Sequence, residues 1–575
     1  MQANPLDLLQ SMGPEGREIL ESQTERITLA AGEVLFHQGA APVAMYLVIS
    51  GSLGVYVNTP HHPRQLIAVI RAGEPVGEMA VLAGTPRSAT VIAVRDSELL
   101  KLTKARFDLL QKQHPELMTG LNRILVHRLR QVSRGAAAQL EPKTVSILPA
   151  AEDISTKEIA LKIARQIEVI GMKVRLVGPE HADKPVKWFA EQEEQHDRVI
   201  FHSDAASEAW IRQCARQSDR IMLIRRADDR TEARLPLDLL RQRADHQLLD
   251  LILLHENSDR RPSGTQALLE KLHVNRHFHI RMDLKKDWER LGRVVTGRGL
   301  GIVLSGGGAR AYAQIGAIQA IQDTGLDIDF IGGSSMGAII GASLALGSSI
   351  EDVAQGIQNA FVKSNPLSDV TLPLISLVKG RKVERLLADY FGGIEIPDLW
   401  YPFYCVSSNL SDGTLKVHRE GLVREVLRAS VALPGVLPPK IMGNDVLVDG
   451  AVLDNLPVDV MRGIHRGPVI AIDVTRDRAL KPEMLAIEHK TSFLERLTHP
   501  PIISILMRAG TVSSDAEMER QAQDADLLIE PPLGDIDIPD WRAFDEAVTI
   551  GYEHTVKLLS ENPGALQRLR RVQPV

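Results

Sequence analysis

Cysteine is nearly absent: Cys214 and Cys405 are the only two in 575 residues. That excludes a disulfide framework and a cysteine-based zinc site, and it fits a reducing compartment in which both thiols act as small buried hydrophobes. Charge of one sign is also lacking, since 67 Lys and Arg against 73 Asp and Glu leave −6. Such a balance carries no general signal for nucleic acid, so function has to come from local sites. No uninterrupted apolar run approaches the ~18 residues of a spanning helix. The first residues, MQANPLDLLQSMGPEG, lack a basic segment followed by an apolar one, and the expectation is a cytoplasmic protein whose membrane contact is peripheral. Fixed-period repeats and low-complexity tracts are missing as well.

A chain this long exceeds a single core, and the length prior is roughly three to five domains. From about Ile27 to Lys101, short alternating segments such as ITLAAGEVLF and AMYLVISGSLGVYV are cut by glycine, which predicts a small antiparallel β-barrel. Helical spacing follows from Ala105 to Arg134, and then a Gly-Ala-Ala-Ala linker at 135 to 138. VSILPA, an amphipathic stretch from Thr156 to Gly171, and KVRLVG set the rhythm of an α/β unit. From Gly299, strand, glycine loop and helix alternate as in a mixed or parallel sheet wrapped by helices. The predicted division is a barrel domain at 1–140, a central α/β domain with a basic connector at 141–296, and a C-terminal α/β domain with an extension at 297–575.

In the connector, Asp259 to Arg298 holds ten Lys or Arg against five Asp or Glu. It suits a solvated link or a patch facing anionic lipid head groups. His273, His277 and His279 lie inside it, but HFHIRM alternates as a strand does and no acidic cluster accompanies it, so no metal is expected.

The chemistry concentrates further on. GLGIVLSGGGARAYAQIGAIQAIQ gives an apolar strand, three glycines at 306–308 and a helix, so backbone N–H groups point out at a helix N-terminus where negative charge is stabilised. Gly306-x-Gly308-x-x-Ala311 also satisfies a dinucleotide fingerprint. That reading needs an acid at the end of the next strand, yet DIDFIGGS carries Asp327 and Asp329 at its start. Its end instead carries Ser335 in Gly-Ser-Ser-Met-Gly. By composition roughly 0.2 Gly-x-Ser-x-Gly matches arise by chance in such a chain, so context has to decide. A strand turning sharply into AIIGASLALG lifts the hydroxyl clear of the sheet, next to the preceding glycine loop.

A serine nucleophile needs a base. His418, His465, His489, His499 and His554 are available in sequence, but none follows an apolar strand in a glycine-bounded turn. Asp449 does, in DVLVDGA, and a partly desolvated carboxylate hydrogen-bonded to a serine can serve.

GGGARA, GSSMG and DGA in this order resemble the patatin-like phospholipases, over about residues 299 to 475. The resemblance implies a mixed sheet with helices and a Ser-Asp dyad: Ser335 as nucleophile, Asp449 as base, and Gly306, Gly307, Gly308 and Arg310 as the oxyanion loop. It implies no metal and no catalytic cofactor. Ala311 departs from a pattern that usually ends in glycine there. VREVLRASVALPGVLPPK, VDGAVLDNLPVDVMR, WFAEQEEQHDRVIFHSD and FDEAVTIGYEH resemble the neuropathy target esterase branch. That branch implies a lysophospholipase acting at the inner membrane surface, with cyclic-nucleotide-binding-like domains ahead of the catalytic one. PLSDVTLPLISLVKGRKVERLLADYFG reads either as a lid or as a packed helix pair.

VGEMAVLAGTPRSATVIAV in turn resembles the phosphate-binding cassette of cyclic-nucleotide-binding domains. Glu78 suits a ribose hydroxyl and Arg87 a cyclic phosphate, with backbone N–H groups around Gly77, Ser88 and Ala89. The nucleotide expected is cAMP or cGMP. The following helix leads toward the enzyme rather than a DNA-reading helix pair, which disfavours a transcription factor. The alternatives are a nucleotide-responsive scaffold and a general esterase or thioesterase with another acyl substrate; oligomeric state is open.

Overall fold

The computed structural model describes residues 22–57, 65–133, 142–151, 154–203, 208–229, 248–256, 260–272, 274–364, 367–371, 376–464, 467–475, 514–534 and 536–570, with Leu8, Glu18 and Leu20. Two compact units result, one of residues 1–256, 273–297 and 574–575, the other of 257–272 and 298–573.

Strands β1 (Glu25–Leu29), β2 (Val34–Phe36), β3 (Ala44–Ser50), β4 (Ser52–Val57), β5 (Gln65–Arg71), β6 (Pro75–Val76), β7 (Thr90–Ala93) and β8 (Ser97–Thr103) open the first unit. They pair antiparallel in two sheets, β1-β8-β3-β6 and β2-β7-β4-β5. The period-two pattern directs Leu29, Val48, Leu53, Val91 and Leu99 into one core. Helix α1 (Glu78–Ala83) interrupts the barrel, and α2 (Lys104–Gln113) and α3 (Pro115–Ser133) follow it. The predicted linker at 135–138 lies outside the described residues.

Next come β9 (Thr144–Pro149), β10 (Val174–Val177), β11 (Arg198–His202), β12 (Arg220–Arg226), β13 (Leu248–His255) and β14 (Arg276–Arg281), which form a parallel sheet in the order β10-β11-β9-β12-β13-β14. Helix α4 (Thr156–Val169) is the amphipathic stretch seen in sequence. Ser155 caps it by accepting from Glu158 N, and Ile159, Ile163 and Ile167 form its buried stripe. Helices α5 (Val186–Gln195) and α6 (Glu208–Arg216) complete the crossovers.

The basic stretch forms regular structure rather than a solvated link. It comprises α7 (Thr265–Leu272), which belongs to the second unit, then strand β14 and α8 (Lys285–Val295). Arg276 pairs with Asp250 at 2.7 Å, and Arg281 with Asp287 at 2.7 Å. Asp250 and Asp287 are buried, so these cations neutralise interior carboxylates and are withdrawn from any lipid-facing patch. His279 Nδ1 lies 2.9 Å from His255 Nε2.

The second unit is built on β15 (Gly301–Leu304), β16 (Phe330–Ser334), β17 (Phe403–Asn409), β18 (Thr414–His418), β19 (Lys440–Met442), β20 (Asp445–Asp449), β21 (Val469–Ile472) and β22 (Leu527–Ile529). Their order is β19-β20-β17-β16-β15-β21-β22, with β18 on β17. Strands β16, β17, β21 and β22 join in parallel fashion around β15, whereas β18, β19 and β20 pair antiparallel. The sheet is therefore mixed. Helix α9 (Ala313–Asp323) follows β15 and α10 (Ser335–Ala345) follows β16. Helices α11 (Ile350–Ile357), α12 (Arg381–Phe391) and α13 (Val423–Ser430) cover the same core. Helix α12 buries Val383, Leu387 and Phe391, so this half of the proposed lid segment is a packed helix.

Candidate active site

Strand β16 ends in Gly-Gly-Ser, and α10 begins at Ser335 with almost no connection. The turn forces Ser335 to φ 52°, the only positive φ of a non-glycine among the described residues. Such strain at a strand-to-helix turn sets the serine hydroxyl at the elbow. Ser335 Oγ donates to Asp449 Oδ2 at 2.6 Å. The other carboxylate oxygen, Oδ1, accepts from Ala451 N at 2.9 Å, and Asp449 N donates to Ala432 O at 3.0 Å. Asp449 is 2% exposed, so the turn after β20 fixes a desolvated carboxylate facing the serine. Ser335 N donates to Ser430 Oγ at 3.0 Å, and Ser430 Oγ donates onward to Val406 O at 2.7 Å.

The glycines around this pair answer to close contact. A Cβ on Gly306 would lie 2.7 Å from Ser335 Cβ, one on Gly337 2.5 Å from Ser305 O, and one on Gly450 2.5 Å from Ser334 Oγ. Three turns thus meet at backbone distance, which requires small residues at each crossing.

Within the glycine loop the N–H groups have different duties. Gly306 N donates to Asn455 Oδ1 at 3.0 Å, and Asn455 Nδ2 returns a bond to Gly306 O at 3.2 Å. Ala309 N donates to Ile538 O and Arg310 N to Gly307 O. Among the described residues, the loop donors Gly307 N and Gly308 N meet neither a backbone nor a side-chain acceptor. The Arg310 side chain is buried and donates from Nε to Ile536 O at 2.7 Å, so its observed contact anchors the loop. Ala311 is fully buried, and its methyl group is part of the core. Asn455 and Ser430 escaped the sequence reading. The only signal was the Asn that follows DGAVLD, and nothing local marks Ser430.

Of the candidate histidines, His418 Nε2 lies 2.7 Å from Ser407 Oγ rather than at Ser335. Burial, with Lys416 adding to it, pushes its pKa down to about 4. His554 lies on the helix Phe544–Glu561, and His465, His489 and His499 lie outside the described residues. Cys214 and Cys405 are free and buried, and burial raises both thiol pKa values.

In the barrel, Gly77 adopts φ 77° just before α1, and Glu78 is 1% exposed in its first turn. Arg87 donates from Nη1 to Gly77 O at 2.7 Å and from Nη2 to Ala44 O, with its guanidinium 4.1 Å from the Phe36 ring centre. Its Nε has no partner among the described residues. Burial lowers its pKa, against Tyr46 and Glu78. Ser88 is exposed and Ala89 buried. Arg128 on α3, unanticipated in sequence, donates to Glu78 Oε1 at 2.5 Å and to Pro75 O at 2.7 Å. The five cradle residues therefore lie on one strand-helix-strand passage, and its carboxylate is met from outside the barrel strands.

The serine on its strained elbow and the buried aspartate bonded to it both lie within residues 302–462, which match the patatin-like phospholipase family. Residues 26–114 match the cyclic nucleotide-binding domain, and 141–298 the neuropathy target esterase family P-loop like domain. The chain carries these three domains in that order and is homologous to neuropathy target esterase (NTE) family proteins. It is 27% identical to human "Patatin-like phospholipase domain-containing protein 6", over 91% of this chain and 44% of that protein. With "Neuropathy target esterase sws" of Drosophila melanogaster it shares 27% over 92% of this chain and 42% of that one. An "Uncharacterized NTE family protein" of Mycobacterium tuberculosis is 29% identical, over 95% of this chain and 93% of its own length. The chain thus spans less than half the length of the animal relatives.

Proposed function

We propose that the chain is a lysophospholipase, a serine hydrolase that releases the fatty acid from a lysophospholipid through Ser335 and Asp449. The observation that carries this reading is the 2.6 Å hydrogen bond from Ser335 Oγ to the buried Asp449 carboxylate. Asp449 takes the hydroxyl proton as Oγ attacks the ester carbonyl, and the N–H groups of Gly307 and Gly308 receive the developing oxyanion. The ester C–O bond breaks and the departing alkoxide takes the proton from Asp449. Water, deprotonated by Asp449, then attacks the acyl-serine, and the fatty acid leaves as Ser335 regains its proton. A lysolipid substrate implies work at a membrane or micelle surface; among the described residues no helix is long and apolar enough to cross a membrane.

The barrel is proposed to bind cAMP or cGMP as a regulator. Support comes from the unpartnered Arg87 Nε beside Glu78, the charge pair that a cyclic phosphate and a ribose require.

The test is fatty-acid release from lysophosphatidylcholine by wild type and Ser335→Ala. A fall of roughly 10³-fold or more in the variant, with unchanged circular dichroism, is expected for loss of a nucleophile. Cleavage of a small activated ester without lysolipid turnover would keep the dyad and reject the substrate. Equal lysolipid rates in both proteins would reject Ser335.

A further inference from the structure

The glycine loop offers an oxyanion the N–H groups of Gly307 and Gly308, and each N–H shares a peptide unit with the carbonyl of the residue before it. No cis peptide bond occurs among the described residues, so within a unit the C=O and the N–H point in opposite directions. Whatever holds the carbonyl therefore aims the donor. Gly308 N shares its unit with Gly307 O, which accepts from Arg310 N at 3.2 Å across the start of the 3₁₀ turn Gly308–Tyr312. That donor is aimed by its own turn.

Gly307 N shares its unit with Gly306 O, and there the grip comes from 149 positions away. Asn455 Nδ2 donates to Gly306 O at 3.2 Å, while Asn455 Oδ1 accepts from Gly306 N at 3.0 Å. One planar amide thus holds two successive peptide units of the loop. Asn455 is fully buried, so turning either unit over would strand a polar group away from water.

The loop needs that restraint because of the residues that make it. A Cβ is excluded at both positions flanking the unit: at 306 it would lie 2.7 Å from Ser335 Cβ, and at 307 2.5 Å from Val474 Cγ2. Close approach demands glycine, and glycine leaves the unit little resistance to turning over. Turned over, it would present the Gly306 carbonyl oxygen, not the Gly307 N–H, to the forming oxyanion. Asn455 is itself held firmly, since Leu453 N donates to Ser408 Oγ at 3.1 Å, Leu456 N to Asp454 Oδ1 at 3.0 Å and Gln521 Nε2 to Asp454 Oδ2 at 2.7 Å. It stands in the passage that begins at Asp449, so one segment carries both the base and the restraint.

We propose that Asn455 is a positioning residue for the hydrolysis: it grips the Gly306 carbonyl and so aims the Gly307 N–H at the developing oxyanion. The proposal rests on the hydrolase reading of Ser335 and of the glycine loop. Asn455 acts through the loop backbone, where both ends of its side-chain amide are engaged.

Two variants of the full chain test this. Asn455→Asp keeps the shape and the acceptor but sets an oxygen against Gly306 O, and Asn455→Ala removes both bonds and serves if the first variant does not fold. Each is assayed on p-nitrophenyl butyrate, and against a trifluoromethyl ketone whose adduct with a serine carries the oxyanion. In a folded variant kcat is expected to fall roughly 100-fold or more, the effect of losing one oxyanion donor. Inhibitor affinity is expected to fall in parallel while KM stays within about twofold, a split that a merely structural residue would not produce. Values of kcat and inhibitor affinity within about threefold of wild type, or a loss carried by KM alone, overturn the proposal. If the wild type does not cleave the ester, the hydrolase reading fails by itself and the crystal structure of the folded variant decides: a Gly306–Gly307 peptide turned over sustains the role of Asn455, and one left in place overturns it.

Discussion

At the scale of the residue, the site is a collision of three backbone turns. Ser335 occupies a positive φ because its neighbours over-determine it: Gly306 leaves room at its Cβ, Ser430 accepts its N–H and Asp449 accepts its hydroxyl. The carboxylate is 2% exposed and accepts from both Ser335 Oγ and Ala451 N, which holds it facing the serine. A methyl at 306 has nowhere to go, standing 2.7 Å from both Asn455 Oδ1 and Ser335 Cβ. Gly306→Ala is expected to lower kcat/KM on the substrate ester by roughly 100-fold, the effect of displacing reacting groups by about 1 Å. Steady-state kinetics on purified protein checks this, and wild-type kinetics would mean that the loop does not position the nucleophile.

At the scale of the element, sequence patterns were good guides where a segment's neighbours are its own chain. The barrel strands, α4 and the strand-to-helix turn at Ser335 could all be read from periodicity and glycine placement. They failed where a distant partner decides the outcome. The basic stretch looked like a connector because its charges, counted locally, are unbalanced; Asp250, outside it, takes up Arg276, and Asp287 folds back onto Arg281. The lid segment looked ambiguous because proline and glycine punctuate it, while α12 is held by the buried face of Val383, Leu387 and Phe391. The proposed nucleotide cradle is likewise an element-level device, with Arg87 braced on two carbonyls and Glu78 met by Arg128. Arg87→Leu is expected to weaken cAMP or cGMP binding by roughly 10- to 150-fold, the range of one hydrogen bond to a charged group. Isothermal titration calorimetry measures it, and equal affinity in the variant would place the phosphate elsewhere.

At the scale of the whole molecule, the barrel and central sheet of the first unit share one ion cluster centred on the buried Arg95. Arg95 donates to both oxygens of Glu193, at 2.5 and 2.7 Å, and its Nε lies 3.1 Å from Asp219. Asp219 also accepts from Ser52 Oγ at 2.9 Å and from Lys143 N at 2.8 Å. Burial opposes the Arg95 charge, but Asp219 and Glu193 outweigh it and raise its pKa. Removing one partner strands the others: Arg95→Ala is expected to cost about 3–5 kcal/mol in the unfolding transition of this unit. Arg95→Met with Glu193→Gln and Asp219→Asn is expected to recover part of that loss. Urea unfolding of the full chain, followed by fluorescence, is the check; a shift under about 0.5 kcal/mol in Arg95→Ala would mean that the cluster adds nothing.

The sequence by itself pointed to the domain rhythm, the two charged residues proposed for the nucleotide cradle, and Ser335, Asp449 and the glycine loop as the proposed catalytic site. Each is local, because a turn residue, a periodic stripe or a strand ending in glycine acts on its own few neighbours. Tertiary structure decided the division of labour among the loop N–H groups, the partners of Asn455 and Ser430, and the charge partners of the basic stretch. Those depend on groups 95 and 149 positions apart meeting within hydrogen-bond distance. Such meetings are set by sheet order and by which helix packs where, and no short window of the chain contains them.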